Sequence, residues 1–419
     1  MIIKDLNRLI RYVLSALFLI AGMADIQAQY YMNIFNKDGS MASYLIEDID
    51  SICFDSYTAP LQYVRMKAER LPDMLYPRAD FALYAYGNEI IAAGGHTTGF
   101  DAISTAEYFD GREWHETAMI DYHDMPFSVV LPDGRLMVGG GCPGGYGVGQ
   151  SSYVELYDPN NHSFSMLSQM NLSRTLSHAA VLSDNAVLVS GNWYASDGTE
   201  LYTIDKDKFD LAVDVSEDRN LPYIFPTGKD KALIFGPSGN YGGGTELIVD
   251  RIGGGEPFSV SLFEEWTPMG LFVNWRPDDC MTSNYSYLFA ARNYDGKYGI
   301  IKLDGAEESF SLLPLADEIP TVFDGVEIEY YSHILVDKRR NVAYMPGFNK
   351  NVDSPVYFLL KIDYKTTPAS LTVYYTDILD AYVSPWSITI APDGSLVMAG
   401  GIYDSNFSPF NSVWRLFPF

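Results

Sequence analysis

The chain has 419 residues, a length that allows either several ordinary domains or one large all-β unit. Its 54 acidic side chains outnumber the 28 Lys and Arg, which gives a formal net charge of -26. A field of that sign repels phosphate backbones and anionic lipid surfaces, so nucleic acid is excluded as an expected partner. The 47% hydrophobic and 14% aromatic residues, together with 35 Gly and 22 Pro, favour a globular protein of short strands and tight turns.

Residues 1–28 have the pattern of a secretory signal peptide. Basic side chains precede a short apolar run over 12–24, and Ala28 provides the small residue that suits a peptidase site. The run is shorter than the about 20 residues that span a bilayer, and no Cys precedes Cys53 to accept a lipid anchor. We therefore expect export to the periplasm or the outside of the cell, with no membrane insertion after cleavage. An uncleaved membrane anchor is the alternative.

Residues 29–60 predict a small strand-rich segment. Short apolar stretches flank the turn Lys37-Asp38-Gly39, and we interpret the segment as a packing or spacer element, with a recognition role as the alternative. The three Cys residues, Cys53, Cys142 and Cys280, are odd in number and far apart. They form neither a disulfide framework nor a zinc motif.

A pattern of an apolar strand, a polar turn and a second apolar strand recurs about every 50 residues over 61–419. Each hairpin is followed by a variable loop and further strands, which makes four strands per repeat. Because such a sheet leaves both faces apolar, stacking of the repeats around an axis predicts a β-propeller with seven blades. The hairpins lie at 81–95, 127–141, 178–192, 223–237, 281–291, 333–347 and 387–401.

The last repeat lacks a fourth strand, because the chain ends at Phe419 soon after the strand over 412–417. Residues 63–71 have the place in the pattern that a fourth strand would have. We therefore predict that this N-terminal strand pairs with 412–417, which closes the ring and protects its edges.

Several residues recur at matching places in these repeats. Arg174 and His178 begin one hairpin, Trp114 lies in a fourth strand, and Gly pairs stand at 94–95, 139–140 and 400–401. These features resemble kelch repeats, in particular the galactose-oxidase-like central propeller, over the whole of 61–419 and most weakly over 223–378. The resemblance implies an all-β, seven-bladed kelch-like β-propeller in an exported bacterial protein.

The same resemblance raises the question of copper. Galactose oxidase holds copper with two Tyr and two His, and a Cys is crosslinked to one of the Tyr. In this chain no Cys can be assigned to that crosslink, so we predict no catalytic residue, no metal and no cofactor. The six His residues fall in no matching motif: His96, His115, His123, His162, His178 and His333.

Two functions remain open. The favoured prediction is an exported, non-catalytic propeller that binds a glycan or a protein. The alternative is a cofactor-free sugar enzyme similar to the sialic acid mutarotases with kelch propellers, in which Arg and acidic groups would open the sugar ring by general acid/base transfer. An Arg within hydrogen-bond distance of a carboxylate or a His at the channel mouth would favour the enzyme.

Ligand binding is expected on one face of the propeller, the long-loop face, where the second-to-third-strand loops and the loops between repeats emerge. Aromatic side chains in these loops suit sugar rings, and Arg side chains near the innermost strands can hold a carboxylate. A purely structural role for Arg78 and Arg174 is the alternative. The candidate residues are Arg78, Arg174, Arg276, Tyr146, Trp193, Tyr194, Tyr241, Trp275, Tyr294 and Tyr403.

Overall fold

The computed structural model describes residues 31–35, 41–45, 61–192, 198–212, 215, 221–236, 248–271, 274–349, 356–377, 387–401 and 408–419. The chain divides into two compact units, Met1–Tyr57 and Thr58–Phe419. In the first unit, strands β1 (Tyr31–Phe35) and β2 (Met41–Leu45) form an antiparallel pair.

The second unit begins with β3 (Gln62–Arg65) and β4 (Lys67–Leu71) and continues with four-stranded antiparallel sheets. Sheet 1 contains β5 (Ala82–Tyr86), β6 (Glu89–Ala93), β7 (Thr105–Phe109) and β8 (Trp114–Ala118). Sheet 2 contains β9 (Phe127–Val130), β10 (Leu136–Gly139), β11 (Val154–Asp158) and β12 (Ser163–Met166). Sheet 3 contains β13 (His178–Ser183), β14 (Ala186–Ser190), β15 (Glu200–Thr203) and β16 (Lys208–Leu211). Sheet 4 contains β17 (Tyr223–Gly228), β18 (Lys231–Phe235), β19 (Ile248–Ile252) and β20 (Phe258–Ser259).

The later sheets are less regular. Sheet 5 contains β21 (Trp266–Pro268), β22 (Met281–Ser283), β23 (Ser286–Asn293), β24 (Tyr298–Asp304) and β25 (Ser309–Leu312). Sheet 6 contains β26 (Val322–Phe323), β27 (Val326–Tyr330), β28 (Leu335–Asp337), β29 (Val342–Asn349), β30 (Tyr357–Asp363) and β31 (Ser370–Thr376), with β3 at its edge. Sheet 7 contains β32 (Ile388–Ile390), β33 (Leu396–Ala399) and β34 (Val413–Phe417), with β4 at its edge.

Within the described ranges, helical structure is limited to short turns. One α-helical turn spans Leu262–Glu265, and 3-10 turns span Thr98–Phe100, Ile204–Lys206 and Pro277–Cys280. In the part of the chain described above, no helix combines the length and the apolar character that crossing a membrane requires.

The sheets form a propeller-like, all-β arrangement. The innermost strands of neighbouring sheets contact each other, as β9 does with β13, β13 with β17, β28 with β32, and β32 with β5. Apolar side chains fill the space between adjacent sheets; Ile91 of sheet 1, for example, packs in one cluster with Leu136 and Val138 of sheet 2. The second strands are buried on both faces, which explains their continuous apolar sequences.

A left-handed residue precedes the first strand in each of sheets 1 to 4. Asp80, Met125, Leu176 and Leu221 have φ of 53°, 57°, 50° and 45°, and each stands two residues before β5, β9, β13 or β17. For a non-glycine residue this conformation costs on the order of 1 kcal/mol or more, so the surrounding structure must impose it. The repetition shows that the same turn leads the chain into each of these sheets.

The predicted N-terminal strand over 63–71 is divided between two sheets. Strand β4 pairs antiparallel with β34, as the missing fourth strand predicts, whereas β3 pairs parallel with β31 of sheet 6. Met66 lies between them, buried against Leu335 and Trp414, and its N–H donates a hydrogen bond to the Tyr375 carbonyl. The single strand expected from the sequence is therefore corrected to two, because Met66 anchors the chain where it passes between the sheets.

Candidate functional site

Arg78 and Arg174 do not reach solvent. Arg78 Nη2 lies 2.6 Å from Glu107 Oε1, Arg174 Nη2 lies 3.3 Å from Glu200 Oε1, and all four side chains are fully buried. Arg78 also donates to the Gly94 carbonyl. A guanidinium that is desolvated and paired in this way cannot serve a ligand on the surface. The buried pairs favour the structural role, which is the alternative stated above for Arg78 and Arg174, over ligand binding.

In sheet 2 a histidine occupies the position that the arginine has in sheets 1 and 3. His123 Nε2 lies 3.2 Å from Glu155 Oε1, and both side chains are fully buried. The carboxylate of Glu155 also accepts the backbone N–H groups of Ile120 and Asp121 at 2.8 to 3.0 Å. Each of these Glu residues thus fixes the loop that enters its sheet, since Glu200 and Glu107 accept backbone N–H groups in the same way.

The remaining predicted residues for which the structure gives a position lie in two different environments. Tyr146 and Tyr294 are 46% and 85% exposed. Trp275 and Arg276 are buried near the centre of the propeller, where Trp275 packs against His178 with ring centroids 5.1 Å apart. The others lie outside the described residues: Trp193, Tyr194, Tyr241 and Tyr403.

The long-loop face carries a cluster that sequence analysis did not find, formed by Asp80, His96 and Asp124. His96 Nδ1 lies 2.8 Å from Asp124 Oδ1 and 3.9 Å from Asp80 Oδ2. One ligand atom from each residue lies within 4.8 Å of the others, which makes this group, among the described residues, a candidate for holding a metal ion. The cluster combines one imidazole with two carboxylates.

The turns that contain the Gly pairs of the sequence bring these loops together. Gly95 has φ of 87°, and a Cβ there would lie 2.3 Å from the Ala79 carbonyl oxygen. Gly141 has φ of 91°, and a Cβ there would lie 2.4 Å from the Asp124 carbonyl oxygen. Only glycine allows both the left-handed backbone and this close approach. Gly95 and Gly141 therefore position the backbone of the loops that carry Asp80, His96 and Asp124, and contribute no chemical group themselves.

Burial gives the cluster unusual electrostatics. Burial would lower the pKa of His96, but the hydrogen bond and the charge of Asp124 outweigh it, and the pKa is raised. Burial also raises the pKa of Asp124. His96 Nε2 and Asp124 Oδ2 are buried, and neither has a hydrogen-bond partner among the described residues. Buried polar atoms without partners are rare in proteins, so these two atoms require an explanation.

Two aromatic side chains cover the cluster. The ring centroid of His96 lies 5.3 Å from that of Phe100 and 6.2 Å from that of Tyr146, and the two aromatic rings are 5.3 Å apart. Of the three cluster side chains, only Asp80 keeps any exposed surface, at 12%. The cluster is therefore a nearly dry site that communicates with solvent through Asp80.

Cys142 lies next to the cluster but takes no part in its chemistry. Its N–H donates to the Asp124 carbonyl at 2.7 Å, and its Sγ donates to Thr175 Oγ1 at 3.3 Å. Burial raises the pKa of the Cys142 thiol, which keeps it protonated at neutral pH. A protonated thiol is neither a nucleophile nor a good metal ligand.

Comparisons with known proteins identify the fold. No protein-family model and no curated protein matches the chain. Among solved structures, the chain is similar to a fungal alcohol oxidase of the AA5 family in complex with copper. The two are 13% identical over 84% of this chain and 76% of that chain, with a TM-score of 0.53. The protein therefore has a β-propeller fold with a galactose-oxidase-like structural neighbour.

This similarity corrects the prediction of a non-catalytic binding propeller. That structural neighbour is an enzyme, an alcohol oxidase in complex with copper. The contact that was expected to favour a sugar-ring-opening enzyme does occur, because Arg276 Nε and His333 Nε2 lie 3.1 and 3.4 Å from Asp279 Oδ2. However, Arg276 also donates to the Leu83 carbonyl at 3.1 Å and is buried, so this group holds the centre of the propeller together.

Proposed function

We propose that the protein is a metal-dependent enzyme of oxidase-like function, whose metal site is formed by Asp80, His96 and Asp124. The observation that carries this proposal is the pair of buried atoms without partners, His96 Nε2 and Asp124 Oδ2, in a cluster whose donors lie within 4.8 Å of one another. The position of the cluster on the long-loop face, where propellers carry their functional loops, supports it as well.

The fold of the structural neighbour implies copper, and the donor set can be tested against that metal. Imidazole nitrogen and carboxylate oxygen suit divalent transition metals, and Cu²⁺ binds such donors most tightly of the first-row series. The set of two Tyr and two His expected from galactose oxidase is not reproduced, because no second His joins the cluster in the described ranges. The residues therefore fit a divalent metal held by one nitrogen and two carboxylates.

Each residue of this site has a different role. When bound, the metal would supply the electron-accepting chemistry that alcohol oxidation needs. Asp124 orients the His96 ring through the 2.8 Å contact and holds its proton at Nδ1, which leaves Nε2 as an acceptor. Asp80 offers the second carboxylate and the route to solvent, while Phe100 and Tyr146 exclude water.

Metal binding and oxidase activity test this function with a matched control pair. We expect the purified protein to bind about one Cu²⁺, Mn²⁺ or Zn²⁺, measured by calorimetry and elemental analysis. Loaded with a redox-active ion, Cu²⁺ or Mn²⁺, it should oxidise primary alcohols to aldehydes, with O₂ accepting the electrons and protons of the alcohol and leaving as H₂O₂. The variants His96→Asn and Asp124→Asn should weaken binding by about tenfold or more. His115→Asn is the control, because His115 Nε2 makes a similar 3.0 Å contact with Asp110 Oδ2 but lies exposed outside the cluster. Equal metal binding by all three variants and the wild type would contradict the proposed site.

We also propose that sheets 1 to 7 are the seven blades of one closed kelch-type ring. The β4–β34 pairing and the contact between β32 and β5 support closure between the last and first sheets. The basic–Glu pairs and the Gly turns at the same places in successive sheets support the kelch relationship. A density map of the ring viewed along its axis would count the blades directly.

Export is a separate proposal, supported by the sequence of residues 1–28 alone. We propose that these residues are removed as a signal peptide, that 29–60 forms a small separate segment and that 61–419 forms the propeller. Mass spectrometry of the exported protein tests this proposal: a new N terminus near Gln29 is expected, and an intact Met1 would contradict it.

A further inference from the structure

The centre of the propeller is filled by residues 274–280, called the central segment below. Asn274 Oδ1 accepts the N–H of Leu83 at 3.0 Å, and Arg276 Nη1 donates to the Leu83 carbonyl at 3.1 Å. These two bonds satisfy the inner edge of β5. Arg276 Nη2 also lies 3.5 Å from Thr389 Oγ1 of sheet 7, whose first strand β32 contacts β5. The central segment therefore joins the inner edges of the neighbouring sheets 1 and 7.

Below the central segment lies a cavity of about 450 Å³. It opens on the short-turn face, opposite the long-loop face, because the β9–β10 and β13–β14 turns line it. Its walls combine apolar and aromatic side chains, such as Tyr84, Leu131 and Pro226, with polar and charged ones, and its volume lies in the range of small-molecule sites. The central segment contributes Arg276, Asp278 and Asp279 to the lining.

The side chains that line this cavity carry more negative than positive charge. Arg276 is neutralised by Asp279, whose Oδ2 lies 3.1 Å from Arg276 Nε, and the other bonds of Arg276 go to Leu83 and Thr389. Asp278 is exposed within the cavity and makes no hydrogen bond or ion pair with the residues that the structure describes. Desolvation by the cavity walls raises the pKa of Asp278, although the charge of Lys338 opposes that effect.

We propose that this axial cavity binds a small organic cation, an alkylammonium or arylalkylammonium ion, with Asp278 as its counter-ion. An unpaired carboxylate in a partly desolvated cavity gains most from a charged partner, and the half-buried ring of Tyr285 in the wall adds cation–π attraction. An anion is disfavoured because the guanidinium of Arg276 is already paired and a second carboxylate, Asp184, lines the same cavity.

A pair of probes of equal shape and opposite charge tests the proposal on the full chain. Calorimetry or ligand-observed NMR should detect saturable binding of benzylammonium and none of phenylacetate. The variant Asp278→Asn should weaken benzylammonium binding by about tenfold, which is about 1.4 kcal/mol. Asn284→Lys, which adds a positive charge at the lining of the cavity, should weaken it to a similar extent. Asp295→Asn, in a loop of sheet 5 that lines a different groove, should bind as the wild type does.

Three outcomes would overturn the proposal. They are no saturable binding of benzylammonium, equal binding of phenylacetate, and unchanged affinity in both Asp278→Asn and Asn284→Lys. Thermal unfolding of each variant checks that the propeller remains folded. Asn284→Lys keeps the test valid if Asp278→Asn is unstable, because Asn284 is exposed.

Discussion

Arg78 Nη2 lies 2.6 Å from Glu107 Oε1 in a site from which solvent is fully excluded, and the same relationship recurs between Arg174 and Glu200. In each case the Glu carboxylate also accepts backbone N–H groups of the loop that leads to the Arg. The charge pair and the loop therefore form one unit, and neither can be removed without leaving buried polar groups unsatisfied.

Breaking either pair should destabilise the propeller strongly. We expect Glu107→Ala and Glu200→Ala each to lower the free energy of unfolding by about 3 to 5 kcal/mol, because an unpaired guanidinium would remain buried. Urea denaturation measures the change. Asp133→Ala is the control: it breaks the exposed pair with Arg135, which should cost about 0 to 1 kcal/mol. A loss in Glu107→Ala no larger than that of the control would contradict the structural role of the buried pair.

The anchor between β3 and β4 gives a second prediction. Met66 is buried with Leu335 and Trp414 between sheets 6 and 7, so Met66→Ala should cost about 2 to 5 kcal/mol through lost burial and the cavity left behind. Met166 in β12 is 37% exposed, and Met166→Ala should change stability by less than about 0.5 kcal/mol. Chemical denaturation of the two variants measures the difference between their free energies of unfolding. Equal stability of Met66→Ala and Met166→Ala would mean that Met66 does not anchor the N-terminal strands.

The repeat is visible in the sequence, whereas the candidate metal site is not. The alternation of apolar strands and turns predicts each hairpin, because a hairpin forms between residues that are close in the sequence. For example, the predicted hairpin over 127–141 forms β9 and β10. His96 and Asp124 are separated by 28 residues and come from different loops. Their contact depends on the packing of sheet 1 against sheet 2, which no spacing motif encodes.

Three further features could not be predicted, because they too depend on long-range packing. The alternation over 63–71 does not reveal that Met66 passes between two sheets. The central segment has the composition of an ordinary loop, and its position on the axis depends on contacts with strands about 190 residues away, such as Leu83 of β5. The Arg and Glu of the buried pairs are present in the sequence at regular places, but their burial follows only from the three-dimensional arrangement.

Backbone geometry beside the cluster gives a third prediction. Gly95→Ala forces an L residue to φ of 87° and places its Cβ 2.3 Å from the Ala79 carbonyl oxygen. Gly111 also has a left-handed φ, of 97°, but a Cβ there would meet nothing within 4 Å. Gly111→Ala should therefore cost about 1 kcal/mol from backbone strain alone, and Gly95→Ala distinctly more. The difference between the unfolding midpoints of the two variants measures the cost of the steric clash alone. Similar losses of stability in both variants would show that the Ala79 backbone moves away from the new Cβ at little cost.

The last prediction concerns how the stability of the protein changes at low pH. Burial alone would raise the pKa of Asp279, but the charge of Arg276 and the hydrogen bond from His333 outweigh it, and the pKa is lowered. A carboxyl whose folded pKa lies below its unfolded value, about 3.9, contributes stability that is complete above that value and is lost as the pH falls through the folded pKa. The difference in unfolding free energy between the wild type and Asp279→Asn should therefore be constant from about pH 7 to 5 and shrink below about pH 4. Denaturation at several pH values measures it, and a constant difference down to pH values near 3 would mean that Asp279 titrates alike in the folded and unfolded chain.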